Sequence, residues 1–386
     1  MNNHPFASVR YLRDEGVDAH LVLLNNESPH FHPSADTFSL DFQRYTHRVE
    51  WGDPYKITAT APADVRSEFV KYQFIVGCNT VPAYFHRAGV ELDLFSAHGS
   101  DIAEFPFYRP ASPRRGAVSS VWMFPYHQRR GIAETRIVAG PKVPVLEPLY
   151  GKLGFVGERW YGTFPPLYAK EFNPNSIEQF AGQANYYTHF KKIREAHDIV
   201  IFHHARHIWA GRSAYLSEKG NDKLIRGFAR MLRAHPDVKA ALILFEYGTD
   251  VSSSQKLIAR MGIADQCFWF PLMARKELML GASLADIVCG EFGPSWNFGG
   301  TILEGIAMAK PLLHYRDDSL YPTEELFPIM NANTDDDIFR ALSRYVASPE
   351  EHRQLGRRAY EWFDENIIRR PVRDLLALLA RSGSGA

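Results

Sequence analysis

The sequence predicts an α/β fold made of two Rossmann-like, doubly wound domains that face a central cleft. Three observations support this prediction: a length of 386 residues, short apolar runs that alternate with helical patterns, and one long break in that alternation. At roughly 100 to 200 residues per domain, two domains are the default for this length. Alternating strands and helices require parallel strands joined by right-handed crossovers. We therefore expect ligands at the carboxyl ends of the strands, in the cleft between the domains.

Four short apolar runs in the first half of the chain predict buried strands, at residues 20–24, 73–76, 92–95 and 136–139. Helical patterns lie between these runs, most clearly at 82–88 and at roughly 116–130. A stretch rich in glycine, proline and aromatic residues follows from 140 to 175, and it has no sustained period. These features predict a first Rossmann-like domain over residues 1–172.

From residue 198 onwards the alternation is more regular. Strands are predicted at 198–202, 241–245, 267–270, 287–289 and 311–314. Helices are predicted between them at 222–233, 254–261, 275–280 and 300–309. We therefore predict a second Rossmann-like domain over residues 173–364, followed by a helix and tail at 365–386 that could cross back to the first domain.

Charge and cysteine content argue against several classes of protein. The 44 basic and 44 acidic residues give zero formal net charge, so no global field favours nucleic acid or an anionic membrane. The three cysteines, Cys78, Cys267 and Cys289, lie in apolar runs without metal-site spacing, which indicates reduced thiols. No signal-peptide core opens the chain, and no apolar run approaches the ~20 residues that span a bilayer. We expect a cytoplasmic protein without a nucleic-acid partner and with at most peripheral membrane contact.

Residues 217–232, SEKGNDKLIRGFARML, place a lysine and a glycine directly before an amphipathic helix. The apolar positions of this helix repeat with the spacing of one buried face, so its start is exposed. Lys219 at that start opposes the helix dipole, which becomes favourable if an anion lies between the lysine and the helix amides. Arg206 and Arg212 on the preceding loop add guanidinium groups suited to a diphosphate. The alternative is a solvated basic loop.

A second stretch, GGTILEGIAMAKPLL at 299–313, begins a helix with Gly299, Gly300 and Thr301. These residues permit close approach of a ligand and leave backbone amides available to a phosphate. Glu304 lies in the second turn, where its carboxylate can accept both hydroxyls of a ribose. Its alternative role is that of a favourable charge near a helix N-terminus. The two stretches together favour a phosphate-binding site over a solvated loop.

At these residues the chain resembles the GT-B glycosyltransferases, especially the large retaining group called family 4. Arg206 and the KGND segment that begins at Lys219 match the family's G-R and K-G-x-D segments. The segments FWFPLMARKEL, LADIVCGEF and GGTILEGIAMAKPLL then follow in the family's order, and LFEYGTD with Gly248 matches its glycine-containing turn loosely. LFSAHGSDI, with His98 and Asp101, looks like the H-G-x-D segment of the family's first domain. The resemblance spans nearly the whole chain and is specific mainly from residue 198 to residue 314.

The resemblance implies a glycosyltransferase that takes a sugar from a nucleoside diphosphate donor in the second domain to an acceptor in the first, with retention of configuration. It implies neither a metal nor another cofactor. Arg206 and Lys219 would neutralise the departing diphosphate, and Glu304 would bind the ribose. The other implied site residues are His98 facing the transferred sugar, Asp101 supporting that loop, Gly248 in the donor-side turn, Phe270 and Leu272 flanking the base, and Gly299, Gly300 and Thr301 offering amides to phosphate or sugar.

Two features depart from the family pattern. The family usually has a glutamate eight residues before the one that matches Glu304, and it holds hydroxyls of the donor sugar. Trp296 occupies that position here and could instead stack on a sugar face. The chain also begins directly at a helix, with Asn3 as its cap, where the family has a strand and a glycine-rich loop.

Other interpretations of the sequence stay open. A nucleotide-sugar epimerase or phosphorylase of the same fold would need further acid-base carboxylates in the cleft, and a non-catalytic protein could keep the fold as a scaffold. His203, His204 and His207 lack the pattern of a zinc site. Basic pairs at 114–115 and 129–130 could attract an acidic lipid or form a solvated face. We expect a glycan, a lipid-linked group or a protein as the acceptor, and the sequence does not distinguish among them.

Overall fold

The computed structural model describes residues 3–25, 29–97, 99–108, 118–140, 147–211, 218–295, 297–322 and 324–383. Its strands form three sheets of two, four and six strands. Every pair of neighbouring strands within these sheets is parallel. Helices and short 3₁₀ turns connect the strands, so the α/β class that the sequence predicts is confirmed.

The two smaller sheets belong to the first part of the chain. Its elements are α1 (His4–Asp14), β1 (Leu21–Leu23), β2 (Thr46–Arg48), α2 (Pro62–Phe69), β3 (Val76–Gly77), α3 (Val81–Ala88), β4 (Leu94–Ser96), α4 (Ser100–Ala103), α5 (Val118–Glu134), β5 (Ile137–Ala139), α6 (Glu147–Leu153) and β6 (Glu158–Trp160). β1 pairs with β2, and the other four strands form a sheet in the order β3-β4-β5-β6. Phe95 and Val138 of this sheet are fully buried, in one cluster with Phe85 of α3 and Ile132 of α5.

The large sheet belongs to the second part of the chain. Its elements are α7 (Tyr187–Ala196), β7 (Ile199–His203), α8 (Asn221–Ala234), β8 (Ala240–Phe245), α9 (Val251–Met261), β9 (Cys267–Phe270), α10 (Arg275–Ser283), β10 (Ile287–Cys289), α11 (Gly300–Ala307), β11 (Leu312–His314), β12 (Met330–Asn331), α12 (Asp335–Ala347) and α13 (Pro349–Phe363). A π-helical turn, Asp364–Arg369, joins α13 to the last helix, α14 (Arg370–Gly383).

The large sheet is doubly wound. Its strand order is β12-β11-β10-β7-β8-β9. The chain runs outward from β7 to β9, returns to β10 on the other side of β7, and runs outward again to β12. The direction therefore reverses between β7 and β10, and ligands of doubly wound sheets bind beyond the carboxyl ends of the strands at such a point.

Burial explains why strands of this sheet could be predicted from the sequence. Every residue of β7 and of β8 is buried, because helices cover both faces of the sheet. Helix α8 turns Leu224, Ile225 and Phe228 toward that core, and all three are fully buried. This packing holds the N-terminus of α8 at the carboxyl edge of the sheet.

Helices α1 and α14 each pack against the other part of the chain. Leu375 and Leu378 of α14 pack with Leu94 and Ile137 of the four-stranded sheet. Conversely, Tyr11 of α1 lies in the cluster that covers one face of the large sheet. Among the helices that the structure describes, none is both long and apolar enough to cross a membrane.

The predicted strands of the second part are confirmed, with ends that differ by no more than one residue from those of β7 to β11. In the first part, the run at 73–76 contributes only its last residue to β3. The segment 140–175, which has no sustained period, contains α6 and β6. β6 lacks an apolar run because it is a partly exposed edge strand with Glu158 and Arg159 in it.

Candidate functional site

Two pairs of polar side chains, His204 with Glu304 and Lys219 with Glu291, lie at the edge where the large sheet reverses direction. His204 directly follows β7, and Glu291 follows β10 by two residues. Lys219 lies at the start of α8, and Glu304 lies in the second turn of α11. The sequence predicts Lys219 and Glu304 at one site, and the structure brings both to this edge of the sheet.

Lys219 is held by its backbone on both sides. Its amide donates to the carbonyl of Ile208 at 2.8 Å, and its carbonyl accepts from the amide of Phe292 at 2.9 Å. Gly220 follows with a φ of +64°, and a Cβ at that position would lie 2.8 Å from the carbonyl oxygen of Phe292. Only glycine combines this left-handed backbone with so close an approach.

The Lys219 ammonium is already paired. Its Nζ lies 2.7 Å from Oε2 of Glu291, and only 11% of each side chain is exposed. A buried lysine without a partner would carry a large desolvation cost, so Glu291 stabilises the charge in the absence of a ligand. The ammonium has three donor hydrogens, and the two that Glu291 does not use could serve an anion.

The start of α11 offers backbone donors. Gly299 is its cap residue in an extended conformation, and no side chain in the described part of the protein hydrogen-bonds to the cap. Thr301 in the first turn has a buried hydroxyl that finds no hydrogen-bond partner among the described residues. Free amides and a hydroxyl at a helix N-terminus form a suitable setting for an oxyanion.

Glu304 is buried and bound through both oxygens. Oε1 accepts from Nε of Arg275 at 2.7 Å, and Oε2 lies 2.8 Å from Nε2 of His204. Burial alone would raise the pKa of Glu304, but the Arg275 guanidinium and the His204 ring outweigh burial and hold that pKa at about 2. Glu304 is therefore an ionised acceptor throughout the neutral range.

Arg275 extends this contact to a distant part of the chain. Its NH1 group donates to Oδ1 of Asp36 at 3.0 Å and to the carbonyl of Pro166 at 3.1 Å. Asp36 is 1% exposed, and this burial raises its pKa to about 6 against the opposing effect of Arg275. Two carboxylates thus share one buried guanidinium.

The other two histidines near β7 have structural partners. Nε2 of His203 accepts from the side-chain amide of Asn221 at 2.9 Å, and Nδ1 of His207 lies 2.8 Å from the hydroxyl of Ser254. Burial lowers the pKa of His203 well below its usual value and that of His207 to about 4. Within the described ranges, no three His, Cys, Asp or Glu side chains are grouped to hold a metal ion.

Arg206 and Gly248 lie beside this site. The Arg206 side chain is exposed, and its guanidinium carbon lies 6.0 Å from the ring centre of Tyr247. Gly248 has a φ of +112°, and a Cβ there would lie 2.5 Å from the backbone nitrogen of His207. Gly248 therefore lets the loops after β7 and β8 pack backbone to backbone, and the predicted donor contacts of both residues stay predictions.

The two residues predicted to flank a base lie in different surroundings. Phe270 is 8% exposed and packs against Phe190, with 4.4 Å between ring centres, so its ring belongs to the core. Leu272, two residues later, is 53% exposed. Leu272 is thus the one of the two that presents surface to a ligand.

The remaining predicted site residues are Asp101, His98 and Trp296. Asp101 is buried in the first part of the chain, where its Oδ2 accepts from the amide of Asn79 at 3.3 Å, in keeping with support of a loop. His98 and Trp296 lie outside the described residues. Their predicted contacts with a sugar stay predictions.

Sequence analysis missed Glu291, Arg275, His204 and Asp36 as members of the site. Glu291 and Arg275 stand inside the segments LADIVCGEF and FWFPLMARKEL, which the resemblance singled out. A charged residue next to a fully apolar strand was the available signal for Glu291. Asp36 carries no such signal, because its partner is 239 residues away in the chain.

Comparison with known proteins bears on the fold. No family model matches the chain, and no curated protein sequence matches it significantly. Among solved structures, HepE from Anabaena in complex with UDP-glucose superposes with a TM-score of 0.60 at 13% identity, over 99% of this chain and 96% of that one. Sucrose-phosphate synthase from Thermosynechococcus elongatus gives 0.58 at 14% identity, over 98% and 92%. WaaG, a glycosyltransferase involved in lipopolysaccharide biosynthesis, gives 0.52 at 12% identity, over 96% and 93%.

The chain has the GT-B fold. This confirms the fold that the residue-level resemblance implied, while membership of family 4 stays a prediction. In this GT-B fold the edge at β7 and β10 carries Lys219, Glu291 and Glu304, at the point where a doubly wound sheet binds its ligand.

Proposed function

We propose that the protein is a glycosyltransferase that moves a sugar from a nucleoside diphosphate sugar to an acceptor with retention of configuration. The observation that carries this proposal is that Lys219, Glu304 and the uncapped start of α11 all lie at the edge where the large sheet reverses direction. A diphosphate needs cationic and amide donors, and a ribose needs a fixed acceptor. The arrangement supplies both within one edge of the GT-B fold.

Each part of the donor binds to the residues whose chemistry suits it. Glu304, ionised and anchored, accepts the two ribose hydroxyls. Lys219 and the amides near Thr301 receive the diphosphate, and Arg206 approaches it from the exposed loop. The similarity to HepE, which has been solved with UDP and with UDP-glucose, supports a nucleoside diphosphate sugar as the donor class.

Transfer then requires one bond to break and one to form. The bond between the anomeric carbon and the diphosphate oxygen breaks, and the acceptor oxygen forms its bond to that carbon on the same face of the sugar. The acceptor proton passes to the departing phosphate oxygen, so charge and atoms balance. Lys219 and the α11 amides stabilise the negative charge that develops on the diphosphate.

The states of the carboxylates support a route without a protein nucleophile. Glu291 is engaged by Lys219, and Glu304 is engaged by Arg275 and His204. Neither is therefore available to attack the anomeric carbon without first losing a buried partner. We propose that the leaving phosphate itself receives the proton, with His98 facing the sugar and the acceptor held by the first part of the chain.

Donor binding and turnover test the proposal directly. Thermal shifts are measured with UDP, GDP, ADP and their sugars, because a ligand at 100 times its dissociation constant stabilises a protein by about 2.7 kcal/mol. The best donor is then incubated with the protein, and release of nucleoside diphosphate is followed. We expect both stabilisation and slow hydrolysis, and both should fall in K219M.

Binding without any release would indicate a non-catalytic scaffold. Release of free sugar 1-phosphate in the presence of inorganic phosphate would indicate a phosphorylase. Absence of a thermal shift with all nucleotides would contradict the proposed donor site itself.

A further inference from the structure

Arg275 links Glu304, the proposed ribose acceptor, to Asp36 in the first part of the chain. Its Nε group binds Glu304, and its NH1 group binds Asp36, which lies 239 residues earlier in the chain. Arg275 and Glu304 are each 8% exposed. The guanidinium therefore joins two buried carboxylates through two different nitrogens of one planar group.

The Asp36 end of this contact is firmly anchored. The next residue, Thr37, donates its hydroxyl to Glu171 at 2.7 Å, and the amide of Phe38 donates to the same carboxylate at 2.8 Å. Lys276, beside Arg275, donates to the carbonyl of Thr37 at 3.3 Å. Asp36 is thus a fixed point against which the first turn of α10 is held.

The Glu304 end has spare acceptor capacity. From the described residues, each oxygen accepts one hydrogen bond, from Arg275 or from His204, and each has a second lone pair. A planar carboxylate held at both oxygens cannot rotate, so the direction of its remaining lone pairs is set by its partners. The side of Glu304 that a ribose would meet is therefore determined by Arg275 together with His204.

We propose that Arg275 is a positioning residue, which orients the Glu304 carboxylate for the donor ribose and is itself oriented by Asp36. This rests on the proposed function. A lysine cannot replace it, because an ammonium is a point charge without the fixed fork that reaches two carboxylates at once. A purely structural ion cluster would contribute to folding without any selective effect on ribose.

The test isolates the ribose contact. Whichever of UDP, GDP and ADP binds best is compared with its 2′,3′-dideoxy analogue by calorimetry, and the ratio of the two affinities reports the hydroxyl contacts. Hydrogen bonds to a charged group predict a ratio of about tenfold or more for the unchanged protein. We expect Arg275→Lys to remove most of this ratio and Asp36→Asn to lower it about threefold, with affinity for the dideoxy analogue retained.

Arg159→Lys is the matched control. Arg159 binds Glu147 at 3.2 Å, and its side chain is mostly buried, with 14% exposed, but it lies in the first part of the chain. Its substitution should leave the ratio unchanged. If the ratio in R275K equals that of the unchanged protein, this inference is overturned but the proposed function is not. If R275K does not fold, the same comparison is made with D36N. Absence of nucleotide binding by the unchanged protein overturns the proposed function and this inference with it.

Discussion

Lys219 and Glu291 form a buried ion pair 72 residues apart in the chain, with 2.7 Å between Nζ and Oε2. This pairing means that an incoming diphosphate competes with a resident carboxylate for the same ammonium. The balance between the two anions sets the affinity of the edge for nucleotide.

Replacing Glu291 should therefore strengthen binding of the bare nucleotide. We expect Glu291→Gln to raise nucleoside diphosphate affinity by roughly 1 kcal/mol, and Lys219→Met to lower it by about 1.5 to 3 kcal/mol, the range for hydrogen bonds to charged groups. Lys170 pairs with Asp14 of α1, so Lys170→Met is the control and should leave the nucleotide affinity unchanged. Calorimetry that shows lower affinity in E291Q would mean that Glu291 acts with the ligand.

Replacing Gly220, which follows Lys219, should cost more free energy of unfolding than replacing Gly262. Gly220 and Gly262 have nearly equal φ values, +64° and +71°, but only at Gly220 would a Cβ meet backbone within 4 Å. Gly262→Ala should cost about 1 kcal/mol of unfolding free energy through strain alone. Gly220→Ala should cost about 2 kcal/mol or more and should also weaken nucleotide binding. If denaturant unfolding shows equal losses of unfolding free energy in the two variants, the loop around Phe292 moves to make room for the added Cβ.

Trp296 should govern which donor sugar is used. Trp296→Glu should change the ranking of donor sugars more than the affinity for the bare nucleotide, because it exchanges a stacking surface for a hydrogen-bond acceptor. Trp296→Phe keeps an aromatic face and should keep the ranking. Competition assays with several sugars on one nucleotide measure this, and an unchanged ranking in W296E would indicate a packing role only.

The product should retain the configuration of the donor. Proton NMR of the linkage formed from an alpha-linked donor should show an alpha product, since the leaving phosphate receives the acceptor proton on the same face. Glu304→Ala should raise the donor KM and lower kcat through misplacement, yet leave the stereochemistry unchanged. A beta product would contradict the retaining route and the resemblance to family 4.

Because His207 is buried, its ring should contribute a loss of stability as the pH falls below about 6.5. Burial lowers its pKa to about 4, so the unfolded chain binds a proton on this ring at a higher pH than the folded chain does. The stability that the neutral ring contributes above pH 6.5 is therefore lost as the pH falls toward 4. The expected loss from this residue is about 3 kcal/mol. His207→Asn removes this part of the pH dependence, whereas His352→Asn at the surface should not.

The difference between the unchanged protein and H207N is the quantity to measure, by urea unfolding at several pH values. Burial raises the pKa of Asp36 to about 6, which adds stability as the pH falls over the same interval. That contribution is common to both proteins and cancels in the difference. An identical pH dependence in the two proteins would contradict the prediction.

Five of the six strands of the large sheet could be predicted because they appear as apolar runs, and those of β7 and β8 are buried throughout. β12 could not, because it is a strand of two residues, one of them exposed. β6 could not, since an edge strand of three residues with two charges has no such run. Lys219 and Glu304 were found through local segments at helix starts. Their partners Glu291 and Arg275 were missed because an ion pair across tens of residues depends on the tertiary path of the chain.

The packing of α14 on the four-stranded sheet has a consequence for synthesis on the ribosome. Leu375 and Leu378 complete a cluster around Leu94 and Ile137, which lie in strands made more than two hundred residues earlier. Until the last helix emerges, that apolar surface has no permanent cover and is open to water or to chaperones. The four-stranded sheet therefore reaches its final stability only after α14 has been synthesised, and a chain terminated within α14 would be prone to aggregate.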